Sequence, residues 1–406
     1  MDSISDKLRS LGVKIGAKDL NLSNPRDNYP IDKVVSGMFQ PTIFGDVFTV
    51  KASYPSDYKH GNGTLLVNHS LKIMAEWGHV NRLAQADQNN FIFLDTETSG
   101  LAGGTGTFAF LIGLGRFIDN EFQLFQFFLR DPSEERALLT AINEFIQPDQ
   151  GIVTFNGKSF DIPLLNTRYT LQAITSPFSH ILHLDLLPLA RRLWRDRLPS
   201  RALGYLEANV LGAFRTMEEV PGWLIPQYYF DYLRSGDARP LQGVFYHNAM
   251  DILSLAALFS HTNGLLADPL ARVDQPGLDL VALGKLYEEL GYLDISIKLY
   301  ERGLDTGLPD EFLWQTVERF AALFKKERDW EPAIRLWRRA AEHGDLYAFI
   351  ELAKYHEHIV KEPVEAARWT QSAINHLISG NFPHYLQKQL LREFNHRLKR
   401  LQDKDN

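Results

Sequence analysis

Asp95 and Glu97 stand two residues apart, directly after the apolar run Phe91-Ile92-Phe93-Leu94. On a β-strand, side chains at i and i+2 share a face. Two carboxylates on one face beside apolar residues repel each other unless something positive lies nearby. A divalent cation is the natural counter-ion, and hard oxygen donors select Mg²⁺ or Mn²⁺ over softer metals. The plain structural alternative is a strand end carrying two solvated acids.

A third acid, Asp161, follows Val153-Thr154-Phe155-Asn156-Gly157. The pattern predicts a strand ending at Phe155, a turn at Asn156-Gly157 and a helix opened by Asp161, with Pro163 in its first turn. An acid at that point either complements the helix dipole or joins Asp95 at the end of the sheet. A further group, Tyr246-His247-Asn248-Ala249-Met250-Asp251, falls within an apolar helix. His247 and Asp251 are four apart and share a helical face. An acid between Met250 and Ile252-Leu253 needs a partner. His247 supplies either a simple hydrogen-bonded pair or, given the acids upstream, a proton acceptor beside a metal ligand.

The elements that must position these residues follow from periodicity. Phe91–Leu94 reads as a central strand, Phe108–Phe117 as a second and Glu121–Leu129 as a third, joined as an antiparallel meander. Ser133–Ile146 reads as a helix with Ser133 as N-cap. Gly151–Phe155 and Ile181–Asp185 read as two more strands, and Asp161–Leu171, Leu187–Trp194 and Leu241–Leu265 as helices. The order βββαβαβα predicts an α/β domain: a mixed five-stranded sheet with flanking helices over residues 89–264. Residues 1–88 are a poorly defined N-terminal extension. Within it, Val34–Tyr54 alternates like a strand, broken by Pro41 and Gly45, and Leu65–Ala86 has helical spacing. Thr262–Gly277 reads as a linker. Residues 278–402 are all-α, and the segments starting at Leu293, Trp330 and Pro363 align at offsets of 37 and 33 residues. That period and helix-turn-helix texture resemble tetratricopeptide repeats; the alternative is a generic helical bundle.

Together, Asp95-Thr96-Glu97-Thr98-Ser99-Gly100-Leu101, Asn156-Gly157-Lys158-Ser159-Phe160-Asp161-Ile162-Pro163-Leu164 and the late His247/Asp251 pair resemble the DEDD exonucleases, a branch of the RNase-H-like superfamily. The resemblance extends to bacterial members in which this domain precedes tetratricopeptide repeats. It covers about Phe91–Leu258 and the repeats. It implies an RNase-H-like fold with Asp95, Glu97, Asp161 and Asp251 as metal ligands for two Mg²⁺ or Mn²⁺ ions. It further implies two-metal hydrolysis of phosphodiester bonds, by a 3′–5′ exonuclease acting on single-stranded DNA or RNA. One class of the family has Tyr with three residues between it and the last Asp, the other His with four. Here His247 takes the three-residue spacing and Tyr246 the four-residue spacing, so neither class pattern is met. His247, on the face of Asp251, is the preferred general base, with Tyr246 second. Thr98, Asn156, Tyr246, Asp185 and Arg192 are the candidate substrate contacts.

Other features set bounds. The net charge of −7 provides no global basic field, so any nucleic-acid footprint must be local. Arg191, Arg192, Arg195, Arg197 and Arg201 surround Trp194 and suit phosphate contact and base stacking, or else form a solvated helix face. His183-Leu184-Asp185 borders the site or is a structural strand end. The glycine-rich stretch 99–107 lacks the Gly-Lys-Ser/Thr ending of a phosphate-binding loop and reads as a flexible connection near the acids. With no cysteine, disulfides and thiolate zinc sites are excluded. No signal peptide or membrane-length apolar run is evident, so a cytoplasmic protein without membrane partners is expected. Two other functions fit. One is a catalytically silent nucleic-acid-binding scaffold whose repeats recruit a protein partner. The other is an endonuclease of the ribonuclease H type. Four intact acids favour an enzyme over the first, and the late His/Asp helix favours an exonuclease over the second.

Overall fold

The computed structural model describes residues 29–100, 106–147, 150–216, 219–380 and 382–403. The chain divides into two units. One is built on residues up to Pro188 together with Ala202–Ala267, the other on Leu189–Arg201 and the chain from Asp268 onward.

The first unit holds a mixed sheet. Its strands are β1 (Met38–Thr42), β2 (Gly45–Tyr54), β5 (Phe91–Thr98), β6 (Ala109–Ile118), β7 (Glu121–Phe128), β8 (Gly151–Thr154) and β9 (Leu182–Asp185), with a separate hairpin of β3 (Lys59–His60) and β4 (Gly63–Thr64). The spatial order is β1-β2-β7-β6-β5-β8-β9. β5 pairs antiparallel with β6 and parallel with β8, which pairs parallel with β9. The β6–β7 hairpin turns on Asp119 and Asn120, both at positive φ (51° and 66°), as a two-residue turn of this kind requires. The sheet has seven strands where the sequence reading has five. The two extra strands come from the N-terminal extension, where Phe48 pairs with Phe128 and Tyr54 with Phe122. The stretch 65–86, expected to be one helix, holds only a short helix, α2 (Lys72–Trp77), after the four-residue α1 (Ile31–Val34), and then a 3₁₀ turn at Asn81–Gln85.

Phe91–Leu94 are buried on both faces of β5, as a continuous apolar run in the middle of a sheet requires. Ile92 and Leu94 pack with Leu138 and Ile142 of α3 (Glu135–Phe145) and with Leu165 of α4 (Asp161–Leu171). Asp131, not Ser133, caps the turn that leads into α3. Phe91 and Phe93 face the other way, against Phe259. Phe259 belongs to α8 (Leu241–Ala267), which follows α5 (Leu186–Trp194), α6 (Leu203–Leu206) and α7 (Ile225–Ser235). α8 reaches Ala267, further than the expected Leu265. It is apolar nearly all round and largely buried, as befits a helix laid on a sheet.

Two glycines set how closely α8 approaches. A Cβ on Gly113 of β6 would lie 2.4 Å from the Asn248 side chain, and one on Gly115 would lie 2.8 Å from Ile252. Two strand residues advance about 6.6 Å and four helical residues about 6 Å. The helix therefore runs along the strand with Asn248 and Ile252 seated over the two glycines. That seating carries His247, Asn248 and Asp251 to the carboxylate end of β5.

The second unit contains helix pairs α9 (Gly277–Glu289) with α10 (Leu293–Thr306), α11 (Asp310–Lys326) with α12 (Trp330–Glu342), and α13 (Leu346–Tyr355) with α14 (Pro363–Ser379), then α15 (His384–Gln402). Each segment that aligned in sequence is the second helix of a pair, starting at Leu293, Trp330 and Pro363. Among the described residues no helix is long and apolar enough to cross a membrane.

Candidate functional site

β5 carries Asp95 and Glu97 on the face covered by α8. Asn248 Nδ2 donates to Asp95 Oδ2 at 3.0 Å. His247 Nε2 lies 3.9 Å from Glu97 Oε1 and 3.4 Å from Asp251 Oδ2. Glu97, His247 and Asp251 each bring one ligand atom within 4.8 Å of the others. Thr96, between the two strand acids, donates its hydroxyl to Asp161 Oδ1 at 2.5 Å and ties the first residue of α4 to the strand. The four expected acids therefore come from one strand and two helices to the same end of the sheet.

Their ionisation reflects burial first, and neighbouring charge second. Burial pushes the Asp95 carboxyl well above its ordinary range, and the charges of Asp251, Glu97 and Asp161 push it further. Burial drives Glu97 up to about 8 despite the relief given by His247. Asp161 is raised to about 6 by burial, against the opposing Thr96 hydrogen bond. Asp251 behaves differently. Burial would raise it, but His247 and Arg215 outweigh burial and hold it low. His247 is pushed up to about 9: burial would lower it, yet Asp251, Glu97 and Glu219 together prevail. In the metal-free chain this imidazole is therefore protonated at neutral pH, not poised near 6.5 as a free side chain would be.

Arg215 is the principal fixed positive charge here. Its guanidinium donates to Glu207 Oε2 at 2.9 Å, to Glu219 Oε1 at 2.8 Å and to Asp251 Oδ1. Glu219 Oε1 also accepts from His247 Nδ1 at 2.8 Å. That bond fixes the ring so that Nε2 faces the acids. Glu207 is almost fully buried (2% exposed) and lies beside His60 of the β3–β4 hairpin, whose Nε2 is 2.8 Å from Ser254 Oγ. Arg215, His247, Asp251 and the exposed Phe214 line a cavity of about 380 Å³.

The expected substrate contacts divide. Thr98 sits at the end of β5 and donates to the Gly100 carbonyl. Asn156 takes the left-handed conformation that its turn demands, φ 70°. The Tyr246 hydroxyl accepts from the Thr216 backbone at 2.9 Å and so pins the loop that carries Arg215. Asp185 is turned to structure: its oxygens accept from the backbone N–H groups of Asn156, Lys158 and Leu187. His183 bonds Thr154 and is lowered to about 4 by burial. Arg192 belongs to the second unit, ion-paired with Glu289 at 2.6 Å, while its neighbours Arg197 and Asp196 bond Asp279 and Lys285 there. Of the basic cluster around Trp194, Arg192, Arg195 and Arg197 are thus engaged in ion pairs. In the glycine-rich stretch, residues 101–105 lie outside the described residues.

A family model described as RNase_H superfamily matches residues 92–263, which span all four acids and His247. A curated relative from Bacillus subtilis (strain 168), the uncharacterized protein YprB, is 31% identical over 348 residues, covering 83% of each chain. Residues 92–263 form a domain of the RNase H superfamily. Among solved structures, a family B DNA polymerase from the hyperthermophilic archaeon Pyrobaculum calidifontis aligns over 49% of this chain and 29% of its own, at 16% identity and a TM-score of 0.32. A likeness that slight carries no argument.

Within this candidate site, several residues had no signal in the sequence. Arg215, Glu207 and Glu219 lie in an irregular segment with no motif. Asn248 was hidden inside an apolar helix. Gln126 sits on a strand and is buried, and a buried glutamine on an alternating strand was the one available hint.

Proposed function

We propose that this protein is a metal-dependent 3′–5′ exonuclease that hydrolyses phosphodiester bonds of single-stranded DNA or RNA. One observation carries the reading: acids from β5, α4 and α8 come to one end of the sheet, where burial drives Asp95, Glu97 and Asp161 toward protonation and the charges of neighbouring acids push Asp95 and Glu97 further. An oxygen-donor set that repels itself in this way fits Mg²⁺ or Mn²⁺. Asp95, Glu97, Asp161 and Asp251 would hold two such ions. When bound, these ions would neutralise phosphate charge and supply a nucleophilic water near neutral pH. His247 is the general base of this reading. Two of the acids that raise its pKa, Asp251 and Glu97, are ones whose charge metal binding would offset, which moves Nε2 toward a proton-accepting form. Tyr246 is the second candidate, with its hydroxyl engaged at Thr216. Thr98 and Asn156 flank the acids and would contact substrate.

End-labelled single-stranded and duplex DNA and RNA, incubated with Mn²⁺ or Mg²⁺, test this. A ladder shortening from the 3′ end is expected from the parent chain, and none from the Asp95→Ala, Glu97→Ala double variant. Equal activity in both would sink the metal-site reading. A single internal cut would indicate an endonuclease instead.

The grip of Arg215 on Asp251 favours a second reading. With one acid already neutralised by a guanidinium, the fold would hold nucleic acid without cutting it, and the helix pairs, read as tetratricopeptide-like repeats, would recruit a protein partner. A pure parent chain that cleaves nothing yet retains oligonucleotide supports that reading.

A further inference from the structure

Gln126, Gly113 and Asp95 stand side by side on three adjacent strands: Gly113 pairs with Gln126 on one side and with Asp95 on the other. Gly113 has no side chain, and Asn248 of α8 fills the space above it, with no room for a Cβ. Asn248 thereby bridges the gap between the two flanking side chains. It is 0% exposed, and Gln126 is 3% exposed.

The hydrogen bonds fix the direction of both amides. The Phe245 carbonyl can only accept, so the Gln126 amide must turn its Nε2 toward it, at 2.8 Å. The same nitrogen then donates to Asn248 Oδ1 at 3.0 Å. With its oxygen engaged, Asn248 can only present Nδ2 to Asp95, where it meets Oδ2 at 3.0 Å. Reversing either amide would set acceptor against acceptor out of reach of water, which costs far more than one hydrogen bond contributes.

We propose that Asn248, oriented by Gln126, is a positioning residue that presents the Asp95 carboxylate to a divalent cation. The proposal rests on the reading of Asp95 as a metal ligand. One carboxylate oxygen is anchored by the amide, and the other is left for the cation. A neutral donor steadies the acid and adds no positive charge, whereas a Lys or Arg at this position would repel the cation. Asn248 also stands on the same turn of α8 as His247 and Asp251. Seating its amide therefore sets the height of the ligand and the base that flank it. Partners of this kind, which orient ligands without touching the metal, typically change metal affinity by about 10–100-fold when removed.

The test is a Mn²⁺ titration of the full chain, followed by the loss of the free-ion paramagnetic resonance signal, alongside melting temperature. Four proteins are compared: the parent, Asp95→Asn, Asn248→Leu and Gln126→Met. Both Leu and Met fill the volume without donating. The proposal expects saturable binding in the parent, its loss in Asp95→Asn, and affinity weakened about 10–100-fold in Asn248→Leu. It expects a smaller weakening in Gln126→Met, where the Asn248 amide loses its orientation. Gln126→Met decides the matter if Asn248→Leu does not fold. A folded Asn248→Leu or Gln126→Met chain that binds Mn²⁺ as the parent does, while Asp95→Asn does not, overturns this inference alone and leaves the metal site standing. A parent that takes up no Mn²⁺, or an Asp95→Asn chain that binds normally, overturns the metal-site reading and this inference with it.

Discussion

Burial pushes Glu97 from 4.5 up to about 8 and Asp161 from 3.8 up to about 6. An acid whose folded pKa is raised stabilises the fold fully below its unfolded pKa and loses that contribution as pH rises through the folded value. His247, raised from 6.5 to about 9, acts in the same direction. The melting temperature in chelator should therefore fall steadily from pH 5 to pH 9, and Mn²⁺ should flatten the profile and release protons on binding. A metal-free melting temperature that rises over that window would contradict the crowding of acids. Arg215 is the counter-ion of this cluster. Removing it in Arg215→Met leaves buried Glu207 with only His60 beside it and should cost about 3–5 kcal/mol by denaturant unfolding. A loss below 1 kcal/mol would show that Glu207 finds another partner. Asp95, Glu97, Asp161 and Asp251 were legible because each sits at a spacing that means something locally. Arg215 was not, since its partner Asp251 is 36 positions away and nothing near it marks the pairing. Asp185, read as a candidate substrate contact or a structural strand end, has its oxygens taken by backbone amides, which no local sequence pattern announces.

At the scale of elements, the site depends on how closely α8 lies on β6. Gly113→Ala places a methyl 2.4 Å from the Asn248 side chain, whereas Gly222→Ala meets nothing within 4 Å. Overpacking of this kind costs about 1–3 kcal/mol, and an open surface position stays within about 0.5 kcal/mol of neutral. Paired melting curves of the two variants check this. Equal stability would mean that α8 is free to shift away from the sheet. The strands carrying the acids and the helix from Asp161 to Leu171 were legible, because their apolar runs and turn residues are local signals. The membership of β1 and β2 in the same sheet was not. Their alternation was visible, but pairing β2 with β7 brings Phe48 to Phe128, and no local pattern encodes a contact across that separation. The expected helix over 65–86 failed for a related reason. Its apolar residues are spaced like a helix, but Leu71, Met74 and Leu83 are buried from a broken path of one short helix and a 3₁₀ turn.

At the scale of the whole molecule, the net charge of −7 opposes a polyanionic substrate. A labelled single-stranded oligonucleotide should bind at least about tenfold more weakly in chelator than with a divalent ion that supports binding but not cleavage, such as Ca²⁺. Fluorescence anisotropy measures this, and metal-independent binding would point to a basic surface elsewhere. Within the cluster around Trp194, Arg192 and Arg197 are held in internal pairs. The most direct test of the central claim is the anomalous scattering of Mn²⁺ in crystals grown with the metal. Two peaks, roughly 3.5–4 Å apart and bounded by the carboxylates of Asp95, Glu97, Asp161 and Asp251, are the expected result. Occupied metal positions elsewhere, with Arg215 still holding Asp251 and no density among the four acids, would contradict the account.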